Sequence, residues 1–237
     1  RLGGEGGALF DVHRLLEQLL RFTKREHLRN ELKRAALEEA KQSGEKVTPR
    51  DLARRVRRIQ ADREVRATLA ALDAVGARAK YASVDVRNTE ALRALFAEVR
   101  EEFGAITALV HGAGVLADSL LTSKTLENFD MVFGTKVEGL RAMLDALGDE
   151  DLEALCMFSS VAGRTGNVGQ SDYAMANEVL NRVASTYAAE HPGCVAKSLG
   201  WGPWDGGMVS PQLKAMFEQR GVELIDLDAG ARAFAAE

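Results

Sequence analysis

The sequence predicts an α/β fold in which a parallel sheet is covered by helices on both faces. From residue 77 onward, short apolar runs of strand length alternate with stretches of helix length. Such alternation is typical of parallel strands that are joined by helical crossovers. The 237 residues, of which 46% are hydrophobic and 28% charged, suffice for one such domain with a sizeable core.

The predicted elements follow one another in a regular order. Strands are expected at 79–84, 106–110, 155–158 and 195–199, and helices at 89–103, 126–147, 171–190, 211–220 and 227–237. Sheets of this Rossmann-like kind bind ligands at the carboxyl ends of their strands, and the polar and glycine-rich motifs fall there. The first strand of that fold, its glycine-rich turn, the second strand and the last strand are not recognisable. We therefore expect the N-terminal strands to be missing.

Residues 24–77 are helical in pattern, with a break near Gly44. A second helix is expected to begin at Thr48, a good N-cap, and Pro49, a good first helical residue. Between residues 21 and 70 there are fifteen Lys and Arg against eight Asp and Glu, although the whole chain has a net charge of −4. We interpret this stretch as a basic helical insertion, either a solvated face or a docking surface for an acidic partner.

Residues 1–23 have a role that the sequence leaves open. Glycines at positions 3, 4, 6 and 7 precede an amphipathic stretch at 9–22. A glycine-rich loop before a helix can cradle a phosphate, but that binding mode needs a preceding strand, and no apolar run stands there. We interpret residues 1–23 as a flexible leader or a cloning remnant, and residues 78–237 as the main domain.

Composition excludes several classes of function. No apolar run reaches the ~18 residues of a membrane span, and no signal peptide is recognisable. A net charge of −4 gives no reason to expect a nucleic-acid partner. Cys156 and Cys194 fall in or beside predicted core strands, which favours reduced thiols and a cytoplasmic location. No cluster of Cys, Asp and Glu suggests a metal site.

Four polar residues in the middle of the chain form the strongest signal for catalysis. Ser160 lies at the end of a predicted strand and precedes Tyr173 by thirteen positions. Tyr173 and Asn177 lie one turn apart on one face of the next helix, and Lys136 precedes Ser160 by twenty-four positions. A hydroxyl at a strand end that faces a phenol is suited to polarise and protonate a carbonyl oxygen. Ser159 is the alternative to Ser160, and only the spacing favours Ser160.

The stretch 158–180 resembles the active-site segment of the short-chain dehydrogenase/reductase superfamily. Most members have the catalytic Lys four residues after the Tyr, whereas polyketide-type ketoreductases have Asn there and Lys upstream, as here with Asn177 and Lys136. More narrowly, residues 30–237 resemble the ketoreductase domains of polyunsaturated fatty acid synthases. That likeness rests on Gly-Asn-Val-Gly-Gln-Ser-Asp-Tyr at 166–173, Trp-Gly-Pro-Trp-Asp-Gly-Gly-Met at 201–208 and Gly-Glu-Lys-Val-Thr-Pro at 44–49.

The resemblance implies an NADPH-dependent reduction of a carbonyl group and a role for each of the four residues. Tyr173 is expected to protonate the developing alkoxide as hydride arrives from the nicotinamide, and Ser160 to hydrogen-bond the carbonyl oxygen. Lys136 is expected to lower the pKa of Tyr173 and to bind the nicotinamide ribose. Asn177 is expected to order the proton relay.

Further residues at strand ends resemble the cofactor site of the family. The implied cofactor-binding residues are Asp85, Val86, His111, Gly112, Ala113, Gly114, Lys136, Tyr173, Gly202, Pro203 and Trp204. Small residues at 112–114 let the backbone approach a cofactor closely, although a plain strand-to-helix turn also explains them. Asp85 has a second explanation as an acid at the N-terminus of the helix 89–103. His111 is expected to be structural rather than a metal ligand.

The segment 116–118 bears on stereochemistry. Ketoreductases that give D-hydroxyl products carry Leu-Asp-Asp at this place, whereas the L-specific type has a Trp eight residues before the catalytic Tyr. Here Leu and Asp are kept at 116 and 118, Ala117 departs from the pattern, and Thr165 stands at the position of the Trp. The resemblance therefore implies a D-3-hydroxyacyl product. The residues expected to contact or orient the substrate are Leu116, Asp118, Gln170 and Met208.

These implications favour a 3-ketoacyl reductase domain of a polyketide or polyunsaturated fatty acid synthase. Its partners would be an acyl carrier protein that bears the 3-ketoacyl phosphopantetheine and the other domains of the synthase. Two alternatives stay open: a non-catalytic, reductase-like structural module, and a free-standing reductase of small ketones or aldehydes. The complete set of four polar residues argues against the structural module, and the unrecognised glycine-rich turn argues for it.

Overall fold

The computed structural model describes residues 34, 38, 48–209 and 211–237, and the chain divides into two compact units. Of the described residues, the first unit contains those up to 81 together with 226–237, and the second contains those between 82 and 225. In chain order the described elements are α1 Pro49–Ala74, α2 Thr89–Phe103, β1 Ala108–His111, a 3-10 turn at Leu121–Ser123, α3 Leu126–Leu147, β2 Ala154–Ser160, α4 Ala162–Thr165, α5 Ser171–Glu190, β3 Val195–Trp201, α6 Pro211–Gln219 and α7 Leu227–Ala236.

The first unit contributes α1 and α7, each with a side-chain cap. The hydroxyl of Thr48 accepts a hydrogen bond from the amide of Asp51 at 3.2 Å, and a proline follows Thr48 at the start of α1. The carboxylate of Asp226 caps α7 in the same way, through the amide of Ala229 at 2.9 Å. The predicted helix start at Thr48 is confirmed. The predicted leader and the first half of the predicted insertion lie outside the described residues, apart from positions 34 and 38, which are helical.

The second unit is built on a parallel sheet in the order β1-β2-β3. β2 is the central strand and pairs with a neighbour on each side. The register places Ser160, the last residue of β2, opposite Trp201, the last residue of β3. The carboxyl ends of these strands therefore meet at one edge, where sheets of this kind bind ligands. The predicted Rossmann-like parallel sheet is confirmed.

The core of the second unit forms where the helices cover the sheet. α5 packs against β2, β3 and α3, and α2 packs against α3. Leu155 and Met157 of β2 and Leu180 of α5 have no exposed surface, and burying a side chain of this size stabilises the fold by about 1.5–3 kcal/mol. Every second residue of β2 is buried, so Ser159 is enclosed in the protein while Ser160 is more accessible.

The structure agrees with most predicted elements and corrects one. The bounds of α2, α3 and α5 are those predicted, and β2 and β3 are longer than expected. The strand predicted at 79–84 is wrong, because a strand requires a hydrogen-bonded neighbour and no described strand pairs with this segment. α4 was not predicted, since a single turn is too short to show helical periodicity. Within the described ranges, no helix is both long and apolar enough to cross a membrane.

Candidate active site

The four residues of the predicted catalytic set converge at the carboxyl edge of the sheet. Ser160 ends β2, Tyr173 and Asn177 lie in the first two turns of α5, and Lys136 lies in the middle of α3. The side chains of Ser160 and Asn177 lie close enough to the phenol of Tyr173 to influence its pKa. The Nζ of Lys136 lies 5.6 Å from the centroid of the Tyr173 ring. The fold thus gathers side chains from two helices and one strand around a single phenol.

The phenol of Tyr173 is partly buried, and its surroundings favour the protonated form. Burial raises the pKa of Tyr173 above its ordinary value of 10.0, while the neighbouring side chains of Ser160 and Asn177 act in the opposite direction. The negative charge of Asp118 raises the pKa further. Tyr173 is therefore protonated at neutral pH, which is the state a general acid requires.

Lys136 is buried, and its ammonium has a fixed position. Its side chain donates from Nζ to the backbone oxygen of Phe158 at 2.8 Å. Burial lowers the pKa of Lys136 to about 8. Burial outweighs the groups that lower the pKa of Tyr173, so the net shift is upward, and the expected effect of Lys136 on that pKa stays a prediction. An ammonium has three donor hydrogens, and the contact with Phe158 engages one of them.

The neighbouring hydroxyls of Ser159 and Ser160 have different partners. Ser159 Oγ is buried and donates to the backbone oxygen of Asn177 at 3.0 Å, whereas Ser160 Oγ accepts the amide of Ala162 at 3.2 Å. Asn177 Nδ2 donates to the backbone oxygen of Tyr173 at 2.7 Å, and its Oδ1 is buried with no protein partner. Ser159 therefore supports the position of α5, and Ser160 is the hydroxyl that faces the phenol.

The loop that follows β1 lies against Lys136. His111 is fully buried, and its Nε2 donates to the backbone oxygen of Lys136 at 2.9 Å. Nε2 carries the proton because a carbonyl oxygen only accepts, and burial lowers the pKa of His111. A β-carbon at Gly114 would lie 3.1 Å from Lys136 Cε and 3.3 Å from Met208 Cε, whereas one at Gly112 would meet nothing within 4 Å. Ala113 is half-buried between these two glycines.

Asp85 and Val86 occupy the segment before α2. Asp85 is exposed, and its carboxylate accepts hydrogen bonds from the amide of Arg87 at 3.0 Å and from its guanidinium at 3.2 Å. These bonds lower the pKa of Asp85. The residue that caps α2 is Asn88 rather than Asp85. The structural role of Asp85 is to close a turn through its hydrogen bonds with Arg87. Val86 packs toward Gly139 of α3, where an added β-carbon would lie 3.0 Å from Val86 Cγ2.

The turn at 202–204 is held in place beside the end of β3. The amide of Ile225 donates to the oxygen of Pro203 at 2.8 Å. The ring of Trp204 packs edge-on against Trp201 with centroids 4.9 Å apart. Gly202 lies against Ile225, since a β-carbon there would lie 3.6 Å from Ile225 Cδ1. Because Trp201 pairs with Ser160 across the sheet, this turn stands next to the hydroxyl of the site.

The residues expected to contact the substrate come from three segments of the second unit. Gln170 Nε2 donates to Asp118 Oδ2 at 2.9 Å, which ties the loop after β1 to the start of α5. Leu116 is half-buried in the same loop, and Met208 lies beside Gly114. Among the described residues, no group of three or more His, Cys, Asp and Glu side chains is placed to hold a metal ion.

A family model described as the KR domain matches residues 29–206 of this chain. The chain belongs to the KR domain family. A polyunsaturated fatty acid synthase subunit from Thraustochytrium sp. is 43% identical over 202 residues, which cover 85% of this chain and 7% of that protein. Polyketide synthase PksN of Bacillus subtilis is 35% identical over 151 residues, which cover 60% of this chain and 3% of that protein. The KR domain thus corresponds to a small part of much longer relatives.

Solved structures of ketoreductases resemble this KR domain. A ketoreductase from the first module of phoslactomycin biosynthesis in Streptomyces sp. HK803 matches with a TM-score of 0.65 and 31% identity, over 70% of this chain and 39% of that one. A ketoreductase domain from the bacillaene assembly line matches with a TM-score of 0.62 and 34% identity, over 70% of this chain and 42% of that one. The predicted resemblance is confirmed, and the KR domain is an oxidoreductase domain.

A more distant structure shares only the fold. The short-chain dehydrogenase of Burkholderia cenocepacia J2315, solved in complex with NADP, matches with a TM-score of 0.65 and 22% identity over 73% of this chain and 74% of that chain. The Rossmann-like architecture thus extends beyond synthase domains.

Sequence reasoning did not single out two buried residues of the KR domain, Lys124 and Asp172. Their side chains form an ion pair at 2.8 Å and are 3% and 2% exposed. Forty-eight positions separate them, and neither lies in a repeating pattern that links one to the other. The single local signal was an acid placed directly before Tyr173.

Proposed function

We propose that this KR domain reduces a 3-ketoacyl thioester to the D-3-hydroxyacyl product with NADPH, as part of a polyketide or polyunsaturated fatty acid synthase. The observation that carries the proposal is the convergence of Tyr173, on α5, with Ser160, which ends β2. The ammonium of Lys136 lies 5.6 Å from the centre of the same ring. A neutral phenol beside a hydroxyl is suited to give a proton to a developing oxyanion.

The residues of the domain act on the carbonyl oxygen. NADPH supplies the hydride when it is bound. Ser160 and Tyr173 donate hydrogen bonds to the oxygen, and Tyr173 releases its proton as negative charge develops there. Lys136 stabilises the phenolate that remains, because its buried ammonium lies close to the ring. Asn177 Oδ1 has no protein partner and suits a water molecule that returns a proton to the site.

Several features fit the nicotinamide end of NADPH. Position 114 has no side chain to separate a cofactor from Lys136. Lys136 keeps donor hydrogens besides the one that binds Phe158, and ribose hydroxyls accept such bonds. The Burkholderia enzyme, which shares this fold, was solved in complex with NADP, and this is consistent with NADPH as the cofactor. The residues we assign to the cofactor are Asp85, Val86, His111, Gly112, Ala113, Gly114, Lys136, Tyr173, Gly202, Pro203 and Trp204.

The residues that support a product of D configuration lie in the loop after β1. Leu116 and Asp118 stand at the positions of the D-type motif, and Asp118 is tied to Gln170 at the start of α5. This contact holds the loop on the side of Tyr173 from which we expect the acyl chain to enter. Met208, beside Gly114, forms the other side of the proposed channel.

Two observations support substrate delivery by an acyl carrier protein: the length of the relatives and the positive charge of α1. The relatives named above are synthases many times longer than this chain. Exposed cations on α1 suit an acidic carrier; they are Arg54, Arg57, Arg58, Arg63 and Arg66. Cys156 and Cys194 are not joined by a disulfide, which is consistent with a cytoplasmic synthase.

The test compares Tyr173→Phe with Tyr187→Phe in the full-length protein, since both tyrosines lie on α5 and Tyr187 stacks on His191, away from the set around Tyr173. A 3-ketoacyl thioester and NADPH are supplied, and the hydroxyacyl product is measured by mass spectrometry and chiral chromatography. Tyr173→Phe should lower kcat by about 10²–10⁴-fold, because it removes one general acid, and should have a much smaller effect on the Kd of NADPH. Tyr187→Phe should match the wild type.

Two results would contradict the proposal. Wild-type protein that makes no hydroxyacyl product and binds no NADPH would support a structural module. Faster reduction of small free ketones than of the thioester would support a free-standing type of reductase.

A further inference from the structure

Lys124 lies at the end of the loop between β1 and α3, and its ammonium is buried. Nζ donates to the carboxylate of Asp172 at 2.8 Å and to the backbone oxygen of Ala117 at 3.0 Å. The second carboxylate oxygen of Asp172 accepts the amide of Tyr173 at 2.9 Å. Two buried side chains therefore connect the backbone of Ala117 to the backbone of the residue that carries the phenol.

Two further hydrogen bonds join the loop after β1 to the residues just before α5. The amide of Ser119 donates to the oxygen of Gly169 at 3.0 Å, and Gln170 donates to Asp118 at 2.9 Å. Residues 118 and 119 thus bond directly to residues 170 and 169, and Ala117 is joined to Asp172 through Lys124. The Lys124–Asp172 pair is the most buried of these links, with side chains 3% and 2% exposed.

A buried ion pair contributes little net stability to a fold. Removing two charges from water costs as much as their attraction returns, so apolar side chains of similar size would hold the fold as well. An ion pair with hydrogen bonds differs from an apolar contact in being directional, because each bond is strong only at a narrow range of distances and angles. This pair therefore constrains where the two segments lie relative to each other.

We propose that Lys124 and Asp172 are positioning residues, which set the loop segment 116–118 against Tyr173 and so determine the face of the substrate carbonyl that is reduced. The inference rests on the proposed function, since it concerns the orientation of the 3-ketoacyl group. Neither side chain needs to touch the substrate. Their effect passes through the backbone oxygen of Ala117 on one side and the backbone amide of Tyr173 on the other.

The experiment uses the full-length protein with four variants. Lys124→Met and Asp172→Asn each remove one charge, and the double variant removes both while keeping the size of the side chains. Arg182→Met is the matched control, because it breaks an exposed ion pair with Glu178 on the same helix α5. The measurements are kcat, the KM values of the thioester and of NADPH, the ratio of the two hydroxyacyl isomers, and deuterium uptake of the peptide that spans 116–123.

Lys124→Met should lower kcat about 10–100-fold, because a displacement of about 1 Å is enough to disturb the approach of reacting groups. The fraction of the minor isomer and the deuterium uptake of 116–123 should rise, and the KM of NADPH should stay unchanged. The double variant should fold well, since no buried charge is left unpaired, and should still show the lowered kcat and the altered isomer ratio. Arg182→Met should behave as the wild type.

The double variant decides between positioning and a merely structural role. If it folds and has the kcat and isomer ratio of the wild type, the inference is overturned. Failure of the proposed function gives a different pattern, in which the wild type forms no hydroxyacyl product. Deuterium uptake then still tests the role of the ion pair. Higher uptake of the peptide 116–123 in Lys124→Met would support the inference that the pair holds the loop in place, and unchanged uptake would overturn that inference.

Discussion

Gly114 faces the end of the Lys136 side chain so closely that a β-carbon at position 114 would lie 3.1 Å from Lys136 Cε. The ammonium one bond further on has little freedom to move, because it donates to the oxygen of Phe158 at 2.8 Å and is buried. The position of this ammonium relative to Tyr173 therefore depends on the absence of a side chain at 114. This dependence can be tested with a single methyl group.

Gly114→Ala should displace the Lys136 ammonium and lower kcat by about 10-fold or more, since a small misplacement of a catalytic group has a large effect on rate. The KM of NADPH should rise as well. Gly193→Ala is the control, because a β-carbon there meets nothing within 4 Å and the residue lies outside the proposed site. Steady-state kinetics of both variants measure the effect. Equal kcat values for the two would show that Lys136 accommodates the methyl group without consequence.

The two adjacent serines should respond differently to replacement by alanine. Ser160→Ala removes a donor from the carbonyl oxygen and should lower kcat by about 10²–10³-fold with little change in stability. Ser159→Ala leaves the buried oxygen of Asn177 without its hydroxyl donor and should lower the free energy of unfolding by about 1–3 kcal/mol. Turnover and urea denaturation measured on both variants separate the two roles. The reverse pattern would assign the catalytic hydroxyl to Ser159.

The buried ammonium of Lys136 should make stability depend on pH. Its pKa is lowered to about 8 in the folded protein, against about 10.4 for lysine in an unfolded chain. Between these values the unfolded chain binds more protons than the folded one, so stability rises with pH across this window. From pH 7 to pH 10.5, the wild type should gain about 3 kcal/mol relative to Lys136→Met, which has no titrating group at this position.

Urea denaturation of the wild type and Lys136→Met at several pH values tests this dependence. The comparison removes the contributions of all other titrating groups that the two proteins share. A constant difference in the free energy of unfolding from pH 7 to pH 10.5 would mean that Lys136 titrates as an exposed lysine does.

Gly163 of α4 lies against the backbone of α5. A β-carbon at this position would lie 3.0 Å from the amide nitrogen of Glu178 and 3.1 Å from the carbonyl carbon of Asn177. Backbone atoms cannot rotate away as a side-chain end does, so Gly163→Ala should push α4 from α5. We expect a loss of about 1–3 kcal/mol in the free energy of unfolding and a lower kcat, because Asn177 moves.

The control for Gly163→Ala is Gly193→Ala, where a β-carbon meets nothing within 4 Å. Urea denaturation and turnover are measured on both. Wild-type values for Gly163→Ala would show that α4 moves freely on α5.

Much of the fold was predictable because its signals are local. Asn88 and Thr125 cap α2 and α3, because their side chains accept the amides of Ala91 and Asn128. A cap and the periodicity that follows it occupy a few consecutive residues, so both are visible in the sequence. The strand at 79–84 was wrongly predicted for the opposite reason: its existence depends on a neighbouring strand, which is a property of distant parts of the chain.

The site shows the same division. The alternation of strands and helices let the sequence alone determine the fold class. The interval of thirteen residues between Ser160 and Tyr173 let it determine the candidates for catalysis. Only the tertiary structure decided which serine faces the phenol, that burial raises the pKa of Tyr173, and that Lys124 pairs with Asp172. Burial and ion pairing depend on groups far apart in the chain, and their distances exist only after folding.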